Sequence, residues 1–203
     1  MEWFLSLIVF GGAYLIGSIP AALFLPAFKK EARKTKSGEA GRHHIYRINK
    51  KRWTWTLISG FNFGKGLLTA YLTLKFFPGD FYLLLSAMMG LLLGEVFPIW
   101  SGFNGGSGLD AAAGALFLVN PFLILIWAAL FLAFYLFLRQ RVIAALIAIF
   151  VLPLIIFLTR HIYFTDNTLL LILPVSMLIF QRILERVPDL VREKSVKIQN
   201  GEG

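Results

Sequence analysis

The sequence predicts an all-helical integral membrane protein with seven transmembrane helices, an N-terminus outside the cell and a C-terminus in the cytoplasm. Composition is the first reason, because 58% of the 203 residues are hydrophobic and only 15% are charged, unlike a soluble domain. Length is the second, because several apolar stretches reach or approach the ~20 residues that cross a bilayer. The third is charge, since 17 of the 20 Lys and Arg residues fall on one side when seven spans are counted, as the positive-inside rule requires.

The apolar stretches place the spans in order along the chain. The first follows no charged region and precedes no small-residue cleavage site, so it is interpreted as a retained span and not as a signal peptide. A basic loop (residues 29–53) separates it from the second span, and a Pro-Gly-Asp turn at 78–80 separates the second from the third. The predicted spans are residues 3–28, 54–77, 81–100, 111–119, 122–138, 142–158 and 168–187. The membrane domain therefore takes residues 1–187, and residues 188–203 form a polar cytoplasmic tail.

The boundary between the fourth and fifth spans decides the topology. Residues 111–138 stay apolar for 28 residues, and one helix of that length would be about 42 Å long at ~1.5 Å per residue. The hydrocarbon core is only about 30 Å thick, and Asn120-Pro121 inside the stretch favours a turn. With the split, the ten basic residues of the basic loop, Arg139 and Arg141, and the five basic residues after residue 180 share the cytoplasmic side.

Composition also excludes several kinds of site. The chain has no cysteine, which excludes disulfides, thiolate metal sites and a cysteine nucleophile. His43 and His44 are adjacent and do not share a helix face, and His161 falls on the other side of the membrane, so no metal or other cofactor is predicted. The net charge of +9 follows from basic cytoplasmic loops and does not indicate a nucleic-acid partner.

The basic loop contains a small, flexible stretch, SGEAG (37–41), between RKTK and RHHIYR. One interpretation is a topology signal that also attracts anionic lipid headgroups. The other is a phosphate site, in which backbone N–H groups and flanking Arg and Lys side chains hold the anion. His43 and His44 are candidates for a general base, because histidine titrates near neutral pH.

Two further segments carry candidate chemistry. Lys65 lies inside the second span, where an ionisable side chain is expected to be functional or paired, unless it snorkels to the interface. Asn62, one helical turn earlier, shares its face. The glycine segment, GFNGGSGLD (residues 102–110), is either a plain turn or an anion site built from glycine N–H groups and the N-terminus of the next helix. It lacks the Lys-Ser/Thr ending of a Walker loop, and no triad partner supports Ser107 as a nucleophile.

Four segments, in order along the chain, resemble the integral-membrane glycerol-3-phosphate acyltransferases that use acyl-phosphate as donor. They are YLIGSIPAALFLPAF (14–28), RKTKSGEAGRHHIYR (33–47), FNFGKG (61–66) and GEVFPIWSGFNGGSGLDAA (94–112). The last three stand where the family carries R-K-x-G-S-G-N-x-G-A-T-N-x-x-R, Asp-x-x-Lys-Gly and G-H-x-F-P-x-x-x-x-F-K-G-G-K-G-x-A-T. The resemblance implies a seven-span enzyme of phospholipid biosynthesis that makes lysophosphatidic acid. Its implied partners are membrane lipids, with acyl-phosphate and glycerol-3-phosphate or a related phosphorylated small molecule.

The resemblance and the local chemistry together assign the site residues. The predicted catalytic residues are Ser37, His43, His44 and Lys65. The predicted substrate- and phosphate-binding residues are Arg33, Gly38, Arg42, Arg47, Gly105, Gly106, Ser107 and Gly108. We expect these residues around one cytoplasm-facing pocket of a protein in the bacterial inner membrane.

Several positions depart from the family pattern. They are Asn62 (Asp in the family), Glu95 (His), Asn104 and Ser107 (both Lys), Ala111 (Thr), Phe180 (His) and Ile183 (Asn). These lost cations and polar groups leave an alternative open, a divergent paralogue without the activity that binds a phosphorylated lipid or headgroup. A transporter is less favoured, because the few charges within the membrane region lie near one face and form no chain across it.

Overall fold

The computed structural model describes residues 2–21, 52–103, 105–159 and 166–184, and within these ranges every regular element is helical. Seven α-helices follow one another along the described chain, with a short 3-10 helix, Ile99–Ser101, after the third. They are α1 (Glu2–Ser18), α2 (Arg52–Phe76), α3 (Phe81–Val96), α4 (Leu109–Val119), α5 (Pro121–Leu138), α6 (Arg141–Thr159) and α7 (Asp166–Leu184). The prediction of an all-helical fold is confirmed for the described residues.

Three stretches of the described chain are long and apolar enough to cross a membrane, judged by length and composition. They are Phe81–Ser101, Pro121–Leu138 and Val142–Thr159. Shorter apolar helices cover Trp3–Ser18, Leu109–Val119 and Asn167–Gln181. Most of the basic loop, residues 160–165 and the polar tail lie outside the described residues, so the expectations for those segments stay predictions.

Prolines end two helices earlier than the predicted spans. The first predicted span extends to residue 28. Residues 22–28 lie outside the described residues, and α1 itself already ends at Ser18. Pro20 explains this, because the residue before a proline is disfavoured in the α-helical region. Pro98 acts in the same way at the end of α3, where the Phe97 N–H donates to the Leu93 carbonyl at 2.7 Å and closes the helix.

The predicted break between the fourth and fifth spans is confirmed as a break between α4 and α5. Asn120 has an extended backbone, with φ −159° and ψ 98°, and its side-chain Oδ1 accepts from the Phe122 N–H at 3.1 Å. Pro121 is the first residue of α5, a position where its missing N–H costs nothing and its fixed φ suits a helix. An asparagine cap followed by proline thus separates two helices that sequence hydropathy alone would join.

The residues Met1–Ile124 form one compact unit, in which α1 packs along α3 and α2 packs along α4. Glycines bring these helix backbones together. A Cβ built on Gly94 would lie 2.9 Å from the Ser18 nitrogen, and one built on Gly66 would lie 2.7 Å from the Ala115 nitrogen. In a lipid environment the hydrophobic effect does not drive helices together, and small residues at the interface allow the close van der Waals packing that does.

The residues Leu125–Gly203 form the second unit, in which α6 packs against α7. The rings of Phe150 and Phe180 meet there with centroids 5.9 Å apart. Pro153 and Pro174 lie inside these two helices, which is tolerated in membrane-spanning helices because neighbouring groups satisfy the freed backbone carbonyls.

Candidate active site

Lys65 is the polar centre of the first unit. Its side chain is buried, with 5% exposure, and its Nζ donates to the Gly17 carbonyl at 3.0 Å and to the Ile19 carbonyl at 3.1 Å. The same atom forms an ion pair with the carboxylate of Glu95, which is also buried, with 7% exposure. The prediction that Lys65 is paired is confirmed, because its ammonium group is buried among α1, α2 and α3 and bonded to Glu95.

The end of α1 explains why a lysine is stable in this position. The last carbonyls of a helix have no intrahelical partners, and they carry the negative end of the helix dipole. Gly17 and Ile19 provide two such carbonyls beside the break at Pro20. Lys65 therefore satisfies the C-terminus of α1 while Glu95, from the end of α3, balances its charge.

The glycine segment packs against the end of α3. The Gly105 N–H donates to the Val96 carbonyl at 3.1 Å, and the Gly106 N–H donates to the Glu95 carbonyl at 2.9 Å. A Cβ built on Gly106 would lie 2.8 Å from Glu95 Oε1. A Cβ on Gly105 would overlap the Glu95 and Val96 carbonyl oxygens, whereas a Cβ on Gly106 would meet only the carboxylate end of Glu95.

This packing bears on the expected role of Gly105 and Gly106. Both were expected to bind phosphate through their N–H groups, but in this structure those groups already donate to α3 carbonyls. The next two residues lead into α4. Gly108 is its N-cap, with φ 76°, and Ser107 Oγ accepts from the Leu109 N–H at 3.5 Å. Phosphate binding by this segment stays a prediction, and it now depends on Ser107, Gly108 and the start of α4.

Two buried side-chain oxygen atoms of the first unit have no hydrogen-bond partner among the described residues. Ser18 is fully buried and Asn62 is 4% exposed, and the atoms concerned are Ser18 Oγ and Asn62 Oδ1. Ser18 lies between the two residues whose carbonyls accept from Lys65, and Asn62 lies one turn before Lys65. Unpartnered buried polar atoms are costly, so their presence here marks a polar site in an otherwise apolar bundle.

The sequence interpretation missed the contribution of α1 to this site. Gly17, Ser18 and Ile19 supply two acceptors and one buried hydroxyl, and Tyr14 donates from its hydroxyl to the Phe97 carbonyl at 2.8 Å. The signal was present as a serine and a proline close together in an apolar stretch. Read as the middle of a long span, it did not indicate a helix end with free carbonyls.

The structure leaves several predicted site residues untested. Ser37, His43, His44, Arg33, Gly38, Arg42 and Arg47 lie outside the described residues. Phe180 and Ile183 are described, and the Phe180 ring packs on Phe150 within the second unit. Position 180, where the family pattern has a histidine, thus serves apolar packing in this chain.

Comparison with known proteins identifies the family. The sequence profile of the glycerol-3-phosphate acyltransferases matches residues 7–193 of this chain. The chain belongs to the glycerol-3-phosphate acyltransferase family. Among its relatives, the glycerol-3-phosphate acyltransferase of Wolbachia sp. subsp. Brugia malayi is 30% identical over 94% of this chain and 97% of its own length. That of Bordetella avium is 30% identical over 92% of this chain and 90% of its own length.

Solved structures agree with this assignment. The crystal structure of PlsY (YgiH), an integral membrane glycerol 3-phosphate acyltransferase, in its glycerol 3-phosphate form superposes with a TM-score of 0.69 and 26% identity, covering 97% of this chain and 93% of that chain. The lysophosphatidic acid form of the same protein shares the fold, with a TM-score of 0.66 at 24% identity. The predicted family and the predicted acyltransferase-like function in phospholipid biosynthesis are confirmed, and the alternative of a paralogue without this activity is not favoured.

Proposed function

We propose that this chain transfers an acyl group from acyl-phosphate to glycerol 3-phosphate, giving lysophosphatidic acid and inorganic phosphate. The observation that carries the proposal is the buried polar cluster of Lys65, Glu95, Ser18 and Asn62 beside the glycine segment, in a chain whose family match spans residues 7–193. An apolar bundle that only anchored the chain would have no reason to bury these groups, since each is costly within a membrane.

The reaction sets two demands on the site. A hydroxyl oxygen of glycerol 3-phosphate forms a bond to the acyl carbonyl carbon, the bond from that carbon to the phosphate oxygen breaks, and the phosphate leaves with the electron pair. Two phosphate groups must therefore be held close together against their repulsion, and the developing charge must be stabilised. The proton of the attacking hydroxyl must leave to a base.

The predicted residues meet these demands in three groups. Ser107, Gly108 and the start of α4 offer polar groups and a positive helix end to one phosphate. Arg33, Arg42 and Arg47 supply the cations that the glycine segment lacks, since Asn104 and Ser107 stand at two lysine positions of the family. Ser37 contributes a hydroxyl to substrate binding, and His43 or His44 accepts the proton.

We also propose the topology that this chemistry requires. The chain crosses the bacterial inner membrane seven times, with the N-terminus outside, the C-terminus inside and the site facing the cytoplasm. The separation of α4 from α5 and the grouping of 17 basic residues on one side support this arrangement. A site facing the cytoplasm opens to the compartment where phosphorylated metabolites are made.

A donor comparison tests the proposal. The purified full-length chain in phospholipid vesicles is given glycerol 3-phosphate with long-chain acyl-phosphate, or with the same acyl group on coenzyme A. We expect lysophosphatidic acid and stoichiometric phosphate release with acyl-phosphate only. Replacing Arg47 by Ala should lower the rate, whereas Thr73→Val, which removes a hydroxyl that donates only within α2, should not. Folded protein that forms no product with acyl-phosphate would overturn the proposal.

A further inference from the structure

We propose that Glu95 is a positioning residue, whose ion pair with Lys65 fixes the glycine segment at the mouth of the active site. We further infer that position 62 is a second place from which the same negative charge can be supplied. The inference deepens the proposed function and rests on it for its kinetic readout, while its structural readout needs no activity.

The hydrogen-bond capacity of Lys65 is the first step. A lysine ammonium group has three hydrogens and no acceptor. In this structure it has three acceptors, the Gly17 carbonyl, the Ile19 carbonyl and the Glu95 carboxylate. No hydrogen remains for a substrate, so Lys65 joins three helices and does not itself contact the reacting groups. This reassigns the predicted catalytic role of Lys65 to positioning.

Glu95 connects Lys65 to the glycine segment. One carboxylate oxygen, Oε2, pairs with Lys65. The other oxygen, Oε1, lies beside Gly106, and a Cβ added to that glycine would be 2.8 Å from it. The Glu95 carbonyl accepts from the Gly106 N–H at 2.9 Å. Gly106 is thus hydrogen-bonded to the backbone of Glu95 and lies beside its carboxylate. The two residues that follow, Ser107 and Gly108, lead directly into α4, so their position depends on the Lys65–Glu95 pair.

Asn62 occupies the second position from which a negative charge could balance Lys65. It lies one turn before Lys65 on α2, a spacing at which side chains are neighbours. Its Oδ1 is buried and has no partner among the described residues. An aspartate at this position would present a carboxylate oxygen to Lys65 from the same helix. In this chain the lysine pairs across two helices, from Lys65 on α2 to Glu95 on α3.

Labelling of a single cysteine tests the structural claim. The chain has no cysteine, so Ser107→Cys in the full-length protein gives one thiol to follow with a maleimide. We expect Glu95→Gln to raise its labelling rate several-fold, because loss of the ion pair loosens the end of α3 to which the glycine segment is hydrogen-bonded. Adding Asn62→Asp should return the rate to that of the starting protein, and Thr73→Val should leave it unchanged. Equal rates with and without Glu95→Gln would overturn the proposal.

Folding and kinetics complete the test. If Glu95→Gln alone does not fold, recovery of folded protein by adding Asn62→Asp supports the exchange of the negative charge between positions 95 and 62. Failure of both variants to fold overturns it.

In the acyl-transfer assay, Glu95→Gln should raise KM for the phosphorylated substrates several-fold with a much smaller change in kcat, and adding Asn62→Asp should restore KM. A fall in kcat at unchanged KM would place the pair in the chemical step and contradict a positioning role. If the starting protein transfers no acyl group, the proposed function fails, and the labelling rates still decide the role of Glu95.

Discussion

The ammonium group of Lys65 and the carboxylate of Glu95 are each almost fully buried, and each depends on the other. Burying an isolated charge costs several kcal/mol, so neither residue is stable in this position alone. The sequence predicted that Lys65 has a partner, because it lies inside a span. It could not name Glu95, which is 30 positions away, because spacing along the chain does not say which faces of two helices meet.

Replacing Lys65 by Met should destabilise the protein by about 3–5 kcal/mol, because Glu95 is left buried and uncompensated. The double variant Lys65→Met with Glu95→Gln should recover part of that loss, since it removes the unpaired charge. Thermal unfolding in detergent, followed by circular dichroism, measures both. A single variant as stable as the starting protein would show that Glu95 can reach water, contrary to its burial.

A side chain at Gly106 should disturb Glu95 and its ion pair with Lys65. A Cβ there would lie 2.8 Å from Glu95 Oε1, so Gly106→Ala must displace either the glycine segment or the Lys65–Glu95 pair. We expect a lower Tm and a loss of acyl-transfer activity. Gly64→Ala is the matched control, because a Cβ at Gly64 meets nothing within 4 Å and alanine favours a helix by up to ~1 kcal/mol over glycine. Equal behaviour of the two variants would contradict the packing described for Gly106.

At the scale of the helices, the sequence predicted most boundaries within a few residues. The break at Asn120-Pro121 was readable because turn chemistry and helix length both demanded it. The early end of α1 was not, because apolar residues continue past Pro20 and hydropathy cannot distinguish a helix from other buried backbone. The pairing of α1 with α3 and of α2 with α4 was also hidden, because the spacing of Gly90 and Gly94 indicates close helix packing but does not identify the partner helix.

The α1–α3 contact should depend on Gly94. A Cβ at this position would lie 2.9 Å from the Ser18 nitrogen, so Gly94→Ala should separate the two helices and move the carbonyls that accept from Lys65. We expect a fall in Tm of several degrees together with reduced acyl transfer. Gly11→Ala on α1, where a Cβ meets nothing within 4 Å, should leave both unchanged. If Gly94→Ala is as stable as Gly11→Ala, close packing of α1 on α3 is wrong.

At the scale of the whole molecule, fold and family were accessible from the sequence, whereas the chemistry of the site was only partly so. Composition and charge gave an all-helical membrane protein, and segment order gave the acyltransferase family. The glycine segment was interpreted as a phosphate cradle from its residue types. The amides of Gly105 and Gly106 instead donate to α3 carbonyls, a tertiary contact that no local pattern contains.

Seven crossings can be tested across the whole chain with cysteines introduced one at a time, since the natural sequence has none. A membrane-impermeant maleimide added to intact cells should label cysteines at Asp80, Asn120 and Asp166, and it should label Lys36→Cys and Ser107→Cys only after the membrane is opened.

The decisive position is Asn120. If α4 and α5 each cross the bilayer, their junction must lie outside while both ends of the pair lie inside. α4 has only 11 residues, about 17 Å at ~1.5 Å per residue, so it crosses only if the bilayer thins around it or the glycine segment enters the membrane within the protein. Labelling of Asn120→Cys only in opened membranes would show that α4 does not cross. The segments that follow α5 would then face opposite sides from those proposed, and the basic residues at 139 and 141 would lie across the membrane from the basic loop.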